Sequence, residues 1–138
     1  MILPILSVSD VDASLAFYKE KLGFEERMSM LGPDGITTFA GIALGKAQIM
    51  LSRAETEHKG QGVVFMVYVP EGTSIDTVYQ EVKDRGVTIV EELKTEYWGD
   101  RIFTVHDPDG YNITMCEEVE PIDMEHVEKV MSGEVERG

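Results

Sequence analysis

Cysteine is nearly absent from this chain: Cys116 is the only one in 138 residues. An intrachain disulfide is therefore impossible, and a zinc cage built from cysteines is excluded. Cationic side chains are scarce as well, with 12 Lys and Arg against 26 Asp and Glu and a net charge of −14 at pH 7. Such a chain repels a phosphate backbone, so nucleic acid is excluded as a partner and any charged partner is expected to be cationic. Much of the excess negative charge lies from Glu117 onward, where it can serve solubility alone. Long apolar runs are missing too; none approaches the ~18 residues a membrane span needs. The opening stretch MILPILSVSD has neither the basic start nor the cleavage site of a secretory signal. A soluble, cytoplasmic protein with no membrane partner is the expectation.

With 43% hydrophobic and 28% charged residues, the chain can build one compact domain, or two small fused modules, around a single core. Two stretches follow the same plan. In LPILSVSDVDASLAFYKEKLGF an apolar run leads to Asp10 and Asp12 as capping candidates, then to Val11, Leu15, Tyr18 and Leu22 at helical spacing, and Gly23 ends the pattern. In VVFMVYVPEGTSIDTVYQEVKDRGV an apolar run leads to Thr73 or Ser74 as cap, then to Ile75, Val78, Tyr79 and Val82 before Gly86. Val8 stands to Tyr18 as Val69 stands to Tyr79, and the same offset pairs Leu3 with Val64. Strand-like segments follow each helix: FEERMSM, GITTFAGIAL and KAQIMLSR, then VTIVEEL, DRIFTVHD and YNITMCEE. Aligning QIML with NITM pairs Ile49 with Ile113 and Met50 with Thr114. The spacing predicts an α+β chain of two tandem βαβββ modules, about residues 1–55 and 62–118, within one domain over 1–118. The polar link Ala54–Gly62 joins them, and residues 119–138 form an acidic tail with a short helix starting at Asp123 and presenting Val127, Val130 and Met131 on one face.

Alternation assigns the strand faces. Ile49, Leu51, Ile113 and Met115 should pack under the helices, with Phe65, Val67 and Val69. The opposite face then carries Leu3, Ile5 and Ser7; Gln48, Met50 and Ser52; Val64, Met66 and Tyr68; and Asn112, Thr114 and Cys116. That mixture of apolar and small polar groups suits a ligand groove, and equally suits packing on another strand or a second subunit.

The duplicated plan, with SVSDVDASLAFYKEKLGF in the first copy and WGDRIFTVHDPDGYNITM closing the second, resembles the vicinal oxygen chelate superfamily. Its members include glyoxalase I, extradiol dioxygenases and bleomycin-resistance proteins, and the similarity covers roughly residues 1–118. The resemblance implies a curved mixed sheet with helices on its outer face, and a homodimer with grooves between strands. In the metal-using members four inward side chains hold a divalent ion, and the matching positions here are Leu3, Met50, Val64 and Thr114. Two hydrocarbons, a thioether and one hydroxyl do not make an N/O cage for Zn, Ni, Mn or Fe. His58 falls in the linker, His126 in the tail and His106 beside a turn. Glu118 shares a face with Thr114 but lies ~13 Å along the strand. The expectation is therefore no metal and no cofactor.

Among these relatives, the members without metal are the bleomycin-resistance-type binding proteins. The resemblance thus implies non-catalytic binding of a small organic, possibly cationic, molecule. Trp98, in TEYWGDR, is the candidate aromatic anchor, supported by Tyr97, Tyr68, Met66, Met50 and Thr114, with Leu3 and Val64 lining the groove. Trp98 can equally cap its own core or a subunit interface. Two other readings stay open: a glyoxalase- or dioxygenase-like enzyme, using a metal or His106 with a carboxylate, and a dimeric interaction module without a ligand. Arg53 and Arg101 are expected to be surface ion-pair partners.

Overall fold

A computed structural model describes residues 2–136; Met1 and the last two residues of the expected tail lie outside the described residues. The first module runs β1 (Ile5–Val8), α1 (Val11–Ala16) continued by a π-helical turn over Phe17–Lys21, β2 (Glu25–Leu31), β3 (Thr37–Leu44) and β4 (Ala47–Arg53). The second runs β5 (Val64–Tyr68), α2 (Ile75–Asp84), β6 (Ile89–Thr95), β7 (Asp100–His106) and β8 (Asn112–Glu118), and α3 (Met124–Met131) follows. Each set of strands forms a four-stranded mixed sheet, in the orders β1-β4-β3-β2 and β5-β8-β7-β6. The registers coincide: β1 pairs parallel with β4 through Ile5 and Met50, and β5 pairs parallel with β8 through Met66 and Thr114. This is the expected α+β architecture.

Local chemistry accounts for the helix ends. The Asp10 side chain accepts from the Ala13 N–H and opens α1. Gly23 and Gly86, at φ 82° and 83°, close the two helical segments in the left-handed region that favours glycine. At α2 the outcome differs from the expectation of a Thr73 or Ser74 side-chain cap. Ser74 occupies the capping position but its hydroxyl makes no capping bond. Instead Glu117, arriving from β8, accepts from the Ile75 N–H at 2.9 Å. A carboxylate satisfies the exposed N–H groups of a helix start more strongly than a hydroxyl, and the strand is already there to deliver it. Asp123 does cap α3, accepting from the His126 N–H. Val130 is buried, whereas Met131, expected on the same face, is 70% exposed. Consecutive helical residues point in different directions, and Met131 is the last one of its helix.

Alternation of buried and open residues holds on β1, β4 and β5, whereas on β3, β7 and β8 both faces are largely buried, so that Thr114 and Cys116, expected on the groove face, are covered as well. Leu6, Val8, Ile49, Leu51, Val67, Ile113 and Met115 are buried and belong to one core cluster with Tyr18, Ile75, Val82 and Phe103, while Phe65 and Val69 are partly buried against it. The core therefore draws on both modules.

The polar seam between the modules centres on the turn Asp107-Pro-Asp-Gly-Tyr111. Asp107 is 4% exposed. One of its carboxylate oxygens accepts the Asp109 and Tyr111 N–H groups, both at 2.9 Å, and the other accepts the Tyr18 hydroxyl of the first module at 2.8 Å. Asp109 accepts from the Ser9 hydroxyl and N–H, and the Tyr111 hydroxyl donates to the Ser7 carbonyl. Burial pushes the Asp107 carboxyl above the usual carboxylate range, against hydrogen bonds that pull it down. Tyr18 is likewise raised, by burial and then by the Asp107 charge.

Two substitutions probe this interior. Tyr18→Phe leaves a buried Asp107 oxygen without its donor and should cost about 1–3 kcal/mol in urea unfolding at pH 7. The folded state binds the Asp107 proton more readily than the unfolded chain does. This group's contribution to stability therefore falls as pH rises through the raised pKa and grows as pH is lowered. The Tyr18→Phe penalty should shrink in acid, where Asp107 carries no charge. Conversely, the Ser14 hydroxyl is buried and finds no hydrogen-bond partner among the described residues. Ser14→Ala removes a desolvated polar group from α1 and should raise stability by about 1 kcal/mol in the same assay.

Candidate functional site on the outward sheet face

On β1 and β5 the side chains turned away from the core are open, while Thr104, Thr114 and Cys116 beside them on β7 and β8 are buried. Ile5 is 61% exposed, Val64 59%, and Met66 and Tyr68 47% each. Apolar side chains this exposed on β1 and β5 mark surface that a ligand or partner can cover. Of the residues expected to line a groove, Val64, Met66 and Tyr68 lie on β5, Thr114 on β8 and Met50 on β4, while Tyr97 and Trp98 lie in the turn between β6 and β7 and Leu3 precedes β1. Among the described residues no hydrogen-bonded strand pair joins the two sheets.

In the second module the structure gathers Tyr68 and Trp98 around a residue that sequence reasoning missed. Asp100, 6% exposed, accepts on a single carboxylate oxygen from the Tyr68 hydroxyl at 2.6 Å and from the Trp98 indole N–H at 3.0 Å. Both aromatic rings are thereby fixed by their polar ends, leaving ring surface for contact with other molecules. Tyr97 stands edge-on to Trp98, with centroids 5.0 Å apart and planes at 86°. The hydrogen bond to Asp100, followed by burial, raises the Tyr68 phenol. Gly99, between Trp98 and Asp100, has φ 102°, and a Cβ there would collide with the Glu120 carbonyl. Its own carbonyl accepts the Val119 and Glu120 N–H groups, which pins the start of the tail to this turn. Only glycine permits that approach, so the WGD triplet is the signal that was available.

Met66 is paired with Thr114 across β5 and β8, with Val64 one face-step away on the same strand. Thr114 is 6% exposed, and its hydroxyl is 2.8 Å from that of Thr104, also buried. The Thr114 hydroxyl is thus bound to a neighbour on β7. Period-two alternation marks Thr104 as sharing this face, but the bond between the two is a matter of register.

Met50 sits elsewhere, on the first sheet against Gly41: a Cβ at Gly41 would lie 2.9 Å from the Met50 sulfur and 3.3 Å from Met28. The missing side chain at Gly41 lets two thioethers lie flat on the sheet and form a soft, adaptable surface. Leu3 precedes β1, 36% exposed, next to Pro4, whose carbonyl accepts the Met50 N–H. Arg53 and Arg101 are held by Asp34 and Asp76, at 3.1 and 2.9 Å. Asp76 is pulled below the usual carboxylate range mainly by its hydrogen bonds from Arg101. No group of three or more His, Cys, Asp or Glu side chains able to hold a metal ion is found among the described residues. A cleft of about 460 Å³ opens beside Tyr68, rimmed by Glu71, Glu117 and Glu118.

Two βαβββ modules with equal strand registers, sharing a core and presenting an open sheet face, define a duplicated-module class of α+β proteins. The model for the Glyoxalase/Bleomycin resistance protein/Dioxygenase superfamily matches residues 2–115, and the chain belongs to that superfamily. An uncharacterised protein of Mycobacterium bovis is 27% identical over 142 residues, covering 95% of this chain and 91% of its own. TioX from Micromonospora sp. ML1 superposes with a TM-score of 0.68 at 19% identity, over 89% of this chain and 99% of its own. TnmS3, an antibiotic binding protein from Streptomyces sp. CB03234, superposes with a TM-score of 0.62 at 24% identity, over 82% and 90%. At these identities the two structures share the fold with this chain. Among the described residues no helix is long and apolar enough to cross a membrane.

Cys116 closes the same face at its buried end. Burial, and after it the charge of Asp100, pushes its thiol up to about 12. Native protein at pH 8 should react with a thiol reagent on the order of 10³-fold more slowly than the denaturant-unfolded chain, from thiolate fraction alone. Stopped-flow absorbance with an aromatic disulfide measures both rates.

Proposed function

We propose that this protein binds a small organic molecule on the outward sheet face, without a metal ion and without converting it, and that a homodimer closes the groove. The observation that carries this reading is the chemistry at the four positions where metal-using relatives hold their ion. Here they are Leu3, Met50, Val64 and Thr114. The first and third have no lone pair, the thioether is a soft, weak donor, and the Thr114 hydroxyl is bound to Thr104. These residues do not fit a divalent ion, so no step is assigned to one.

The remaining features support a binding role. Trp98 and Tyr68 offer ring faces held by Asp100, Tyr97 abuts Trp98, and Met66 and Met50 offer apolar surface that adapts to shape. With a net charge of −14 and glutamates rimming the cleft beside Tyr68, a cationic or amphipathic ligand is favoured over an anionic one. The description of TnmS3 as an antibiotic binding protein agrees with this reading at the level of fold. The open strand edges β1 and β5 and the exposed Ile5, Val64 and Met66 favour self-association. We take residues 1–118 as one domain with 119–138 appended, and the unpaired cysteine fits a reducing cytoplasm.

Elemental analysis of protein purified without chelator should find far less than one divalent ion per chain; a stoichiometric ion overturns the reading. Native mass spectrometry should show a dimer. In a thermal-shift screen, aromatic amines should raise the midpoint, since any ligand selective for the native state must do so. Trp98→Ala should weaken the best of them by about 10-fold, the size of one aromatic or cation–π contact. An unchanged affinity removes Trp98 from the site.

A further inference from the structure

The outward groove uses neither the π-helical turn nor His106, yet both line a cleft of about 380 Å³ between the modules. Phe17 and Lys21, the ends of the π-helical turn, form its first-module wall. Val87, Val90 and His106 form the second, with Gly86 at the bend after α2. The volume falls within the range of small-molecule sites. Chains seldom adopt π-helical turns, and when they do the turn often serves a site. Here the widened turn, closed by the Phe24 N–H on the Tyr18 carbonyl, leaves Tyr18 buried while Phe17, only half-buried, reaches the cleft.

The charges in this cleft run against those of the rest of the chain. Its titratable lining is Lys21 and His106, with no carboxylate. Neither has a carboxylate partner among the described residues, although the chain carries 26 acidic residues. The Lys21 ammonium is held in place by donating to the Arg85 carbonyl at 2.8 Å, while the Arg85 guanidinium donates back to the Lys21 carbonyl. An ammonium has three donors, and this bond uses one. A positioned cation at the mouth and an apolar wall of Phe17, Val87 and Val90 are complementary to an anion with an apolar body.

We propose that this cleft is a second ligand site, specific for a small organic monocarboxylate with an aromatic or branched apolar body. The carboxylate meets Lys21 and His106, and the body lies against Phe17, Val87 and Val90. This site is independent of the outward groove, which favours the opposite charge.

The test titrates the full chain with 1-naphthoate and with 1-naphthalenemethanol, its neutral counterpart, by calorimetry. Naphthoate should bind with a Kd on the order of 0.1–1 mM, as its size allows, and the alcohol at least about 10-fold more weakly. Lys21→Met should weaken naphthoate about 10-fold and leave the alcohol unchanged. His106→Ala, at an exposed position that leaves the fold intact, should weaken naphthoate in the same selective way. Val87→Trp, which fills the cleft, should abolish binding of both, and Trp98→Ala should change neither. Equal affinity for acid and alcohol overturns the proposal. So does naphthoate binding unchanged in His106→Ala and Val87→Trp, or lost in Trp98→Ala, which would assign it to the groove.

Discussion

Asp107 brings a carboxylate into the seam between the modules, and the way that carboxylate is satisfied ties the first module to the second across their shared core. Three donors meet it, two from its own turn and one from Tyr18, so the turn is rigid and the first helix is fastened to it. Asp109 and Tyr111 extend the same turn onto Ser9 and Ser7. A buried carboxylate tolerates only a geometry that keeps its donors, which turns a soft apolar contact into a defined one. With the core faces of both sheets joined at this seam, the outward side chains of β1 and β5 are left open. Function, on our reading, occupies what the seam leaves uncovered.

The duplication is close in backbone and loose in chemistry. Both modules pair their first and last strands in the same register. On the first sheet, however, the open face is softened by Met28 and Met50 lying over Gly41. On the second it is stiffened by Thr104 bonded to Thr114 and by Asp100 holding two aromatic side chains. One half adapts and the other half orients. On the proposed function, that division suits the binding of an organic body of which one part is held. The seam between the halves adds a cleft of its own, where a lysine and a histidine stand without acids in a strongly acidic chain.

How much of this was legible can be judged residue by residue. The buried sets Ile49 and Leu51, and Ile113 and Met115, follow from alternation alone. So do the open positions Ile5, Val64, Met66 and Tyr68. Asp10 and Asp123 were readable as caps because a capping side chain acts within its own turn. The cap of α2 was not, since Glu117 reaches it from β8, 42 residues along the chain. Asp100 was not readable for the same reason: only the return of Tyr68, 32 positions away in the chain, makes it a shared acceptor. Asp107 lies in a common turn sequence, and its bond with Tyr18 joins residues 89 positions apart. Thr114 was placed on the right face, but its hydroxyl faces a partner rather than open space.

By itself, then, the amino-acid order determined the two-fold βαβββ plan and the face each strand residue takes. Those are consequences of period and residue type, which act over a few residues and need no knowledge of the rest of the chain. The tertiary structure alone decided which carboxylate would meet which hydroxyl, which acid would hold the Trp98 indole, and where a cleft lined by Lys21 and His106 would open. Such pairings join residues far apart along the chain, and folding selects them by burying both partners together, a condition that no local pattern carries.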